Sequence, residues 1–291
     1  MNTGLRPTPI DPKDKHFSFN RLFGTVQSFP LEYNAEESKI VPDQNSDGRG
    51  TACTAYTVCE IGTDQDGIQY SHDYQYMKTL EVMNKPPETQ GADLRTAFKV
   101  ACTFGLLPAT YQDKKMLNDT QAWSANQANW DLKLDKMTVI KPAYLTIYPS
   151  GDWFDGIRNA LIQGQEENRT IGIGTPWYTE WLDIGSDGIL AMPKRIYSWH
   201  AYKIVGWKKI GDETYLICKP WQGKRYGDKG YVYLSREACN RAMSTWGSYG
   251  ATLQDIPTGT IDELRRRKIT FLEVITALTQ NLLMRIKYGF I

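Results

Sequence analysis

The chain has 291 residues, enough for one large domain or two lobes with a substantial core. Its 34 basic and 33 acidic residues nearly cancel, which argues against a global field that recruits nucleic acid or an anionic membrane. Residues 1–15 lack the apolar core of a secretory signal, and no apolar run is long enough to span a bilayer, so we expect a cytoplasmic protein.

Residues 1–28 are rich in Pro, Lys and Asp and show no apolar periodicity, so we expect an N-terminal arm. The main domain is expected to span residues 29–252. Near its start, residues 43–60 (DQNSDGRGTACTAYTVCE) change from a polar, glycine-containing loop into an apolar helix. The change places Cys53 at or just before the first helical turn. Unpaired amides and the helix dipole favour an anion there, and the thiolate is the nucleophilic form of cysteine.

The next part of the chain predicts a mainly helical lobe over about residues 50–130. Apolar residues recur at helical spacing in 70–83 and 92–104, and a short helix is expected at 119–130. The pattern then changes to a β-rich lobe over about 137–252. Its predicted elements are strands at 137–147 and 170–175, a helix at 152–163, and several strands within 196–234. The expected fold class is α+β.

A histidine-bearing strand is the second feature of interest. Residues 198–207 (SWHAYKIVGW) alternate like a strand and precede a hairpin turn. A cysteine that opens a helix, followed far downstream by a strand histidine, is the order expected of a nucleophile–base pair, here Cys53 and His200. The other two histidines, His16 in the arm and His72 beside a helix start, are expected at the surface. A buried structural cysteine is the alternative interpretation of Cys53.

Taken together, these stretches resemble the papain-like cysteine peptidases, in the branch found in bacteria and their phages. The resemblance covers about residues 30–236. The matching pieces are Asp43-Gln44, Gly50 to Ala55, Gly91 to Arg95, His200-Ala201, Val205-Gly206, Trp221 and Gly230-Tyr231. The resemblance implies a two-lobe papain-like fold, with the cysteine on the helical lobe and the histidine on the β-rich lobe. It also implies a polypeptide substrate and no cofactor or metal.

The resemblance further implies a role for each site residue. His200 takes the proton of Cys53, the thiolate attacks a peptide carbonyl to form a thioester, and Gln44 helps to hold the oxyanion. The loop from Gln44 to Cys53 is longer than is usual in the family. Either Gln44 reaches the oxyanion position across this insertion, or Asp47 occupies that place, where a negative charge opposes the chemistry.

A sharper departure concerns the residue that orients the histidine. Where the family has an asparagine, this chain has Lys219, which has no acceptor for an imidazole N–H and disfavours the imidazolium through like charge. A backbone carbonyl or another side chain is the alternative acceptor. If the asparagine was simply lost, Lys219→Asn is expected to raise peptide hydrolysis.

Three functional hypotheses follow. The first is an active cysteine endopeptidase. The second is a catalytically weak or inactive papain-like fold that serves as a structural or binding component, for example of a phage particle. The third is a transglutaminase-like acyl transferase that applies the same cysteine–histidine chemistry to glutamine. Retention of Cys53 and His200 favours activity, whereas Lys219 favours the inactive component.

The remaining cysteines and basic residues are given structural interpretations. Five cysteines, an odd number without close metal-type pairs, argue against a disulfide framework or a zinc site. We interpret Cys59, Cys102 and Cys218 as buried apolar residues. The basic run at 265–268 is interpreted as a solvated face rather than a nucleic-acid site.

The C-terminal tail is expected to act outside the main domain. Residues 250–259 have the composition of a linker, and the region beyond the domain, 253–291, contains an amphipathic helix at about 260–287. A helix of this length needs its apolar stripe buried. The stripe could be buried by the protein's own domain, a second copy or a larger assembly. Because the papain-like part is expected to be complete by about Arg236, we expect one of the two intermolecular contacts.

Overall fold

The computed structural model describes residues 4–9, 11, 24–26, 28–46, 50–86, 89–111, 137–148, 151–165 and 168–254. The short helix expected at 119–130 and the tail helix expected at 260–287 lie outside these residues. So do two candidates of the sequence analysis, His16 and Asp47.

The first half of the chain forms three helices, α1 (Cys53–Asp66), α2 (His72–Val82) and α3 (Leu94–Thr103). Helix α1 continues through the polar stretch after Glu60 and ends at Gly67, whose φ of 68° only glycine adopts readily. Gly62 lies inside this helix because there is no room for a side chain: a Cβ there would stand 2.4 Å from Leu106.

Side-chain caps define where α2 and α3 begin. The Ser71 hydroxyl accepts the backbone N–H of Tyr74, and the Asp93 carboxylate accepts that of Thr96. Each cap satisfies an amide that has no partner within its own helix. Helix α1 has no such side-chain cap, since Ala52 occupies the capping position. The first turn of α1 therefore keeps amides that are available to another group.

The second half of the chain supplies most of one antiparallel sheet. In spatial order its strands are β2 (Ala143–Thr146), β7 (Tyr249–Gln254), β3 (Ile171–Tyr178), β4 (Ile196–Ile210), β5 (Glu213–Lys219) and β6 (Val232–Ser235). The short β1 (Tyr33–Asn34) pairs with β4 next to a bulge at Val205. Gly206 is required at this crossing because a Cβ would lie 2.1 Å from the Tyr33 carbonyl oxygen.

The expectation that the fold is complete by about Arg236 is wrong. That residue begins a helix, α5 (Arg236–Met243), which is followed by β7 in the interior of the sheet. All six residues of β7 are buried. The first part of the stretch interpreted as a linker, 250–254, is thus a buried strand, because Ala251 and Leu253 carry enough apolar surface to insert beside β3.

Two hydrophobic cores lie on opposite sides of the sheet. Helices α1 to α3 pack on one side, and α5 packs on the other with the remaining helix, α4 (Trp153–Gln163). Because side chains alternate along a strand, Ala201 of β4 faces the first core and Tyr202 faces the second. The α+β class with a helical and a β-rich part is confirmed. Within the described ranges, no helix combines the length and apolarity that a membrane crossing requires.

Candidate active site

Cys53 is the first residue of α1 and is completely buried. Its Sγ atom lies 3.4 Å from the backbone nitrogen of Ala201, which donates to it. The sheet therefore meets the start of α1 at the residue that follows His200. Cys53 and Ala201 are 148 positions apart in the sequence, so this contact brings the predicted cysteine next to the predicted histidine strand.

His200 is also completely buried, and its ring is held on two sides. Trp177 of β3 packs edge-on against it, with 4.8 Å between the ring centroids. Its Nε2 atom lies 2.6 Å from the carbonyl oxygen of Pro220. A carbonyl only accepts, so Nε2 carries the proton, and in the neutral ring Nδ1 keeps its lone pair. Nδ1 is buried and has no hydrogen-bond partner among the described residues.

Burial keeps this cysteine and this histidine neutral. It raises the pKa of the Cys53 thiol from 9.0 to about 11, and amide donors, including Ala201 and Gly4, offset only part of the effect. Burial likewise lowers the pKa of His200 from 6.5 to about 4, against the hydrogen bond to Pro220. At neutral pH the pair is a thiol and an imidazole. The thiolate expected from the helix start is not formed in this state, because desolvation outweighs the amide donors.

The N-terminal segment 4–9 contributes to the cover of Cys53, because the Gly4 amide donates a hydrogen bond to its thiol. It runs between the two halves of the site and pairs with both. On the helical side, Ala92 donates to the Gly4 carbonyl (2.8 Å) and accepts from the Arg6 amide (2.9 Å). On the sheet side, the Leu5 amide donates to the carbonyl of Trp199 (3.4 Å). The segment thus lies between the loop before α3 and strand β4, in a position that we call the groove.

Two residues of this segment fit the groove closely. The Leu5 side chain is 6% exposed and stands over Gly174, where an added Cβ would lie 2.7 Å from it. Gly4 lies so near the loop before Cys53 that a Cβ on it would stand 1.5 Å from the carbonyl oxygen of Thr51. Only glycine fits there. No sequence pattern predicts this packing, because residues 1–28 have no periodicity that indicates structure.

Gln44 is buried at the entrance of the loop that leads to Cys53. Its backbone N–H donates to the carbonyl of Trp221 (3.1 Å), and its side-chain amide donates to the carbonyl of Gly50 (3.3 Å). Its Oε1 atom has no partner among the described residues. The contact with Gly50 keeps Gln44 beside the residues that lead directly into Cys53.

Lys219 occupies the position at which the resemblance implies an asparagine, but its side chain does not face His200. Its Nζ atom donates to the carbonyl of Ser38 (2.7 Å) and pairs with the carboxylate of Glu37 (3.2 Å). The charge that was expected to disfavour the imidazolium is therefore directed at a buried carboxylate. The imidazole N–H of His200 is instead accepted by a backbone carbonyl, that of Pro220, which is one of the alternatives that the sequence left open.

A buried ionic cluster surrounds Glu37, and no sequence motif predicted it. Lys203 of β4 pairs with Asp64 of α1 (2.6 Å) and with Glu37 (3.2 Å), and Tyr231 donates to the other Glu37 oxygen (2.7 Å). Burial alone raises the pKa of Glu37, but Lys203, Lys219 and the Tyr231 hydroxyl together lower it below 4.5. A lysine in the middle of an apolar strand was the available signal.

The remaining candidates have structural environments. His72 stacks on Tyr56 (3.8 Å between centroids), and its Nε2 lies 3.2 Å from Glu60. All five cysteines are buried and none forms a disulfide, as expected for Cys59, Cys102 and Cys218. In the part of the chain that the structure describes, no group of His, Cys, Asp and Glu has the arrangement of a metal site.

Comparison with solved structures identifies the fold. Xylellain, a cysteine protease from Xylella fastidiosa, superposes with a TM-score of 0.65 over 88% of this chain and 97% of its own, at 17% identity. Digestive procathepsin L 3 from the Tenebrio molitor larval midgut has a TM-score of 0.59 over 87% of this chain and 76% of its own, at 13% identity. The bromelain protease from Ananas comosus has a TM-score of 0.52 over 78% of this chain and 100% of its own, at 16% identity.

No protein-family model matches the sequence, and no curated protein matches it. The likeness is therefore one of three-dimensional structure at low sequence identity. These three structures, a bacterial cysteine protease, an insect procathepsin and a plant bromelain protease, share the fold with this chain.

Proposed function

The chain has the fold of the papain-like cysteine peptidases, and on that premise we propose that it is a cysteine endopeptidase. Cys53 is the nucleophile, and His200 is the general base and acid. The observation that carries the proposal is the meeting of α1 with β4: Cys53 Sγ lies 3.4 Å from the amide of Ala201, next to a histidine whose Nε2 donates to Pro220. That tautomer leaves Nδ1 as the nitrogen able to accept a thiol proton.

The reaction requires that a substrate peptide replace segment 4–9. The Cys53 proton passes to His200 Nδ1, and the thiolate attacks the carbonyl carbon of the peptide. His200 then gives its proton to the leaving amine as the C–N bond breaks, which leaves a thioester on Cys53. Water, deprotonated by His200, hydrolyses the thioester and releases the carboxylic acid. No cofactor or metal is needed for these steps.

The oxyanion that forms during the attack requires hydrogen-bond donors. The backbone N–H of Cys53 at the uncapped start of α1 is one, and the side-chain amide of Gln44 is the other. In the covered state this amide makes only a 3.3 Å contact with the Gly50 carbonyl, so its rotation towards substrate gives up little. Gln44→Ala is expected to lower kcat by roughly a hundredfold.

A second candidate is a papain-like fold that acts as a structural or binding component. Full burial of Cys53 beneath segment 4–9 and the neutral state of the cysteine–histidine pair favour this candidate. The two candidates differ in whether the thiol becomes reactive once the groove is open.

Hydrolysis of a fluorescently labelled casein by the Gly4→Ala variant, whose added methyl clashes with Thr51, distinguishes them. We expect hydrolysis that Cys53→Ala and His200→Ala abolish. Cys59→Ala and His72→Gln are the matched controls, since each removes the same side-chain type elsewhere, and both should retain activity. Hydrolysis that survives Cys53→Ala, or no hydrolysis by an opened and folded protein, contradicts the proposal.

The other functional expectations remain predictions. A cytoplasmic protein, or a virion component if a phage encodes it, stays an expectation from the sequence. So does intermolecular contact through residues 260–291, which deletion of that segment tests by a change in mass in solution.

A further inference from the structure

The turn formed by Lys219, Pro220 and Trp221 lies directly behind the candidate histidine. Its central carbonyl, that of Pro220, is the hydrogen-bond acceptor of His200 Nε2 among the described residues, at 2.6 Å. The hydrogen bond is short, buried and fixes one tautomer of the ring. In this chain a backbone atom thus occupies the position at which the resemblance led us to expect an asparagine side chain.

A backbone carbonyl can orient a ring only if the turn that carries it is rigid. Trp221 has a φ of 63°, an unfavourable conformation for a bulky residue that persists only when surrounding contacts hold it. Its indole Nε1 donates to the hydroxyl of Thr57 (3.0 Å), and that hydroxyl donates to the carbonyl of Cys53 (2.9 Å). Its own carbonyl accepts the amide of Gln44 (3.1 Å). The turn is therefore tied to α1 and to the nucleophile loop.

Lys219 fixes the other end of the turn. Its Nζ atom donates to the Ser38 carbonyl (2.7 Å) and to Glu37 (3.2 Å), and Glu37 is held in turn by Lys203 and Tyr231. Lys219 is fully buried and belongs to β5, one residue before Pro220. A buried cation that lacks its carboxylate is costly, so this pair constrains the backbone strongly.

We propose that the Lys219–Pro220–Trp221 turn orients His200 through the Pro220 carbonyl, with Lys219 and Glu37 as positioning residues. The geometric part of the proposal concerns the histidine alone. Its catalytic consequence rests on the proposed function, because a fixed Nε2–H tautomer matters only if Nδ1 takes the proton of Cys53. Lys219 then serves the site as an anchor of the backbone and makes no contact with the ring.

The tautomer of His200 is measurable without activity. In protein labelled with ¹⁵N-histidine, ring-nitrogen NMR separates the Nε2–H and Nδ1–H tautomers, and the chain has 3 histidines. His200→Ala assigns the signal. We expect a single neutral Nε2–H tautomer for His200 at pH 7 with a slowly exchanging proton. A neutral Nδ1–H tautomer, or a mixture of both, overturns the proposal.

Substitution of the anchor tests the positioning role. In the Gly4→Ala background, Lys219→Met is expected to give a mixture of His200 tautomers and a loss of about tenfold in the rate of Cys53 alkylation, the effect of about one net hydrogen bond. Lys209→Met is the control, since that lysine is exposed and forms a long surface pair, 3.8 Å, with Asp212. If Lys219→Met does not fold, Glu37→Gln, which keeps the side-chain volume, replaces it with the same expectation.

The outcomes separate this inference from the proposed function. A folded anchor variant that keeps the single tautomer and the alkylation rate of its parent overturns the positioning role, whatever the enzyme does. If instead the tautomer becomes mixed but His200→Ala leaves Cys53 alkylation unchanged, the positioning stands and the cysteine–histidine chemistry of the proposed function fails.

Discussion

A single methyl group on Gly4 is expected to uncover the candidate nucleophile. A Cβ at Gly4 would lie 1.5 Å from the Thr51 carbonyl oxygen, and real Cβ atoms do not approach within 3.0 Å. Segment 4–9 must therefore shift by about 1.5 Å or more locally, which is enough to break the 2.8 Å hydrogen bond from Ala92 to the Gly4 carbonyl. Water then reaches Cys53.

The size of the effect follows from the pKa of the thiol. Burial holds the pKa of Cys53 at about 11, against an ordinary value of 9.0. At pH 7 the thiolate fraction is then about one in ten thousand, and it rises about a hundredfold if water returns the pKa to its ordinary value. Alkylation by a small reagent proceeds through the thiolate, so its rate is expected to rise by up to about the same factor.

The assay is alkylation by limiting iodoacetamide at pH 7, followed by peptide mass mapping of the modified cysteine. We expect Cys53 to react before the other four cysteines in Gly4→Ala, whose pH–rate profile should shift to lower pH. Gly151→Ala is the control, because a Cβ there meets nothing within 4 Å. A folded Gly4→Ala protein in which Cys53 reacts as slowly as in the unmodified chain would show that segment 4–9 does not protect the thiol.

Three further predictions concern stability. Lys219→Asn leaves the buried Glu37 with one cation fewer, so we expect loss of stability rather than higher activity. The free energy of unfolding, measured in urea, should fall by about 3–5 kcal/mol. An unchanged urea midpoint contradicts this. Glu37 has a folded-state pKa below 4.5, so its stabilisation is complete above pH 4.5 and is lost as pH falls through the folded value. The stability difference between the unmodified protein and Glu37→Gln should accordingly shrink below pH 4.5, and a pH-independent difference would exclude the ionic role. Gly206→Ala places a Cβ 2.1 Å from the Tyr33 carbonyl and should lower the melting temperature, whereas Gly211→Ala, with open space but a φ of 61°, reports the cost of backbone conformation alone.

The parts of the site that the sequence predicted depend on local pattern. The start of α1 at Cys53 follows from the change between a glycine-containing loop and an apolar helix, and the strand that carries His200 follows from alternation. Both signals lie within a few residues of the side chain concerned. The meeting of the two elements was predictable only through the resemblance, because no local pattern specifies a contact between residues 148 positions apart.

The features that the sequence did not predict are set by long-range contacts. Segment 4–9 has no periodicity, and its place over Cys53 depends on Gly4 and Leu5 fitting a groove built by later residues. Strand β7 contains glycine and polar residues and looks like a linker until β2 and β3 provide its partners. Lys219 looked like a defective histidine partner because the position of Glu37 was unknown.

Labelling with an electrophilic cysteine-peptidase probe decides whether Cys53 and His200 act as a catalytic pair. The Gly4→Ala protein is treated with the probe and compared with the same protein carrying Cys53→Ala or His200→Ala, with intact mass and peptide mapping as the readout. We expect one adduct per chain, located on Cys53, absent from Cys53→Ala and formed much more slowly in His200→Ala. An adduct on another cysteine, or a His200→Ala protein that is labelled at the parent rate, contradicts the assignment of Cys53 and His200 as a catalytic pair.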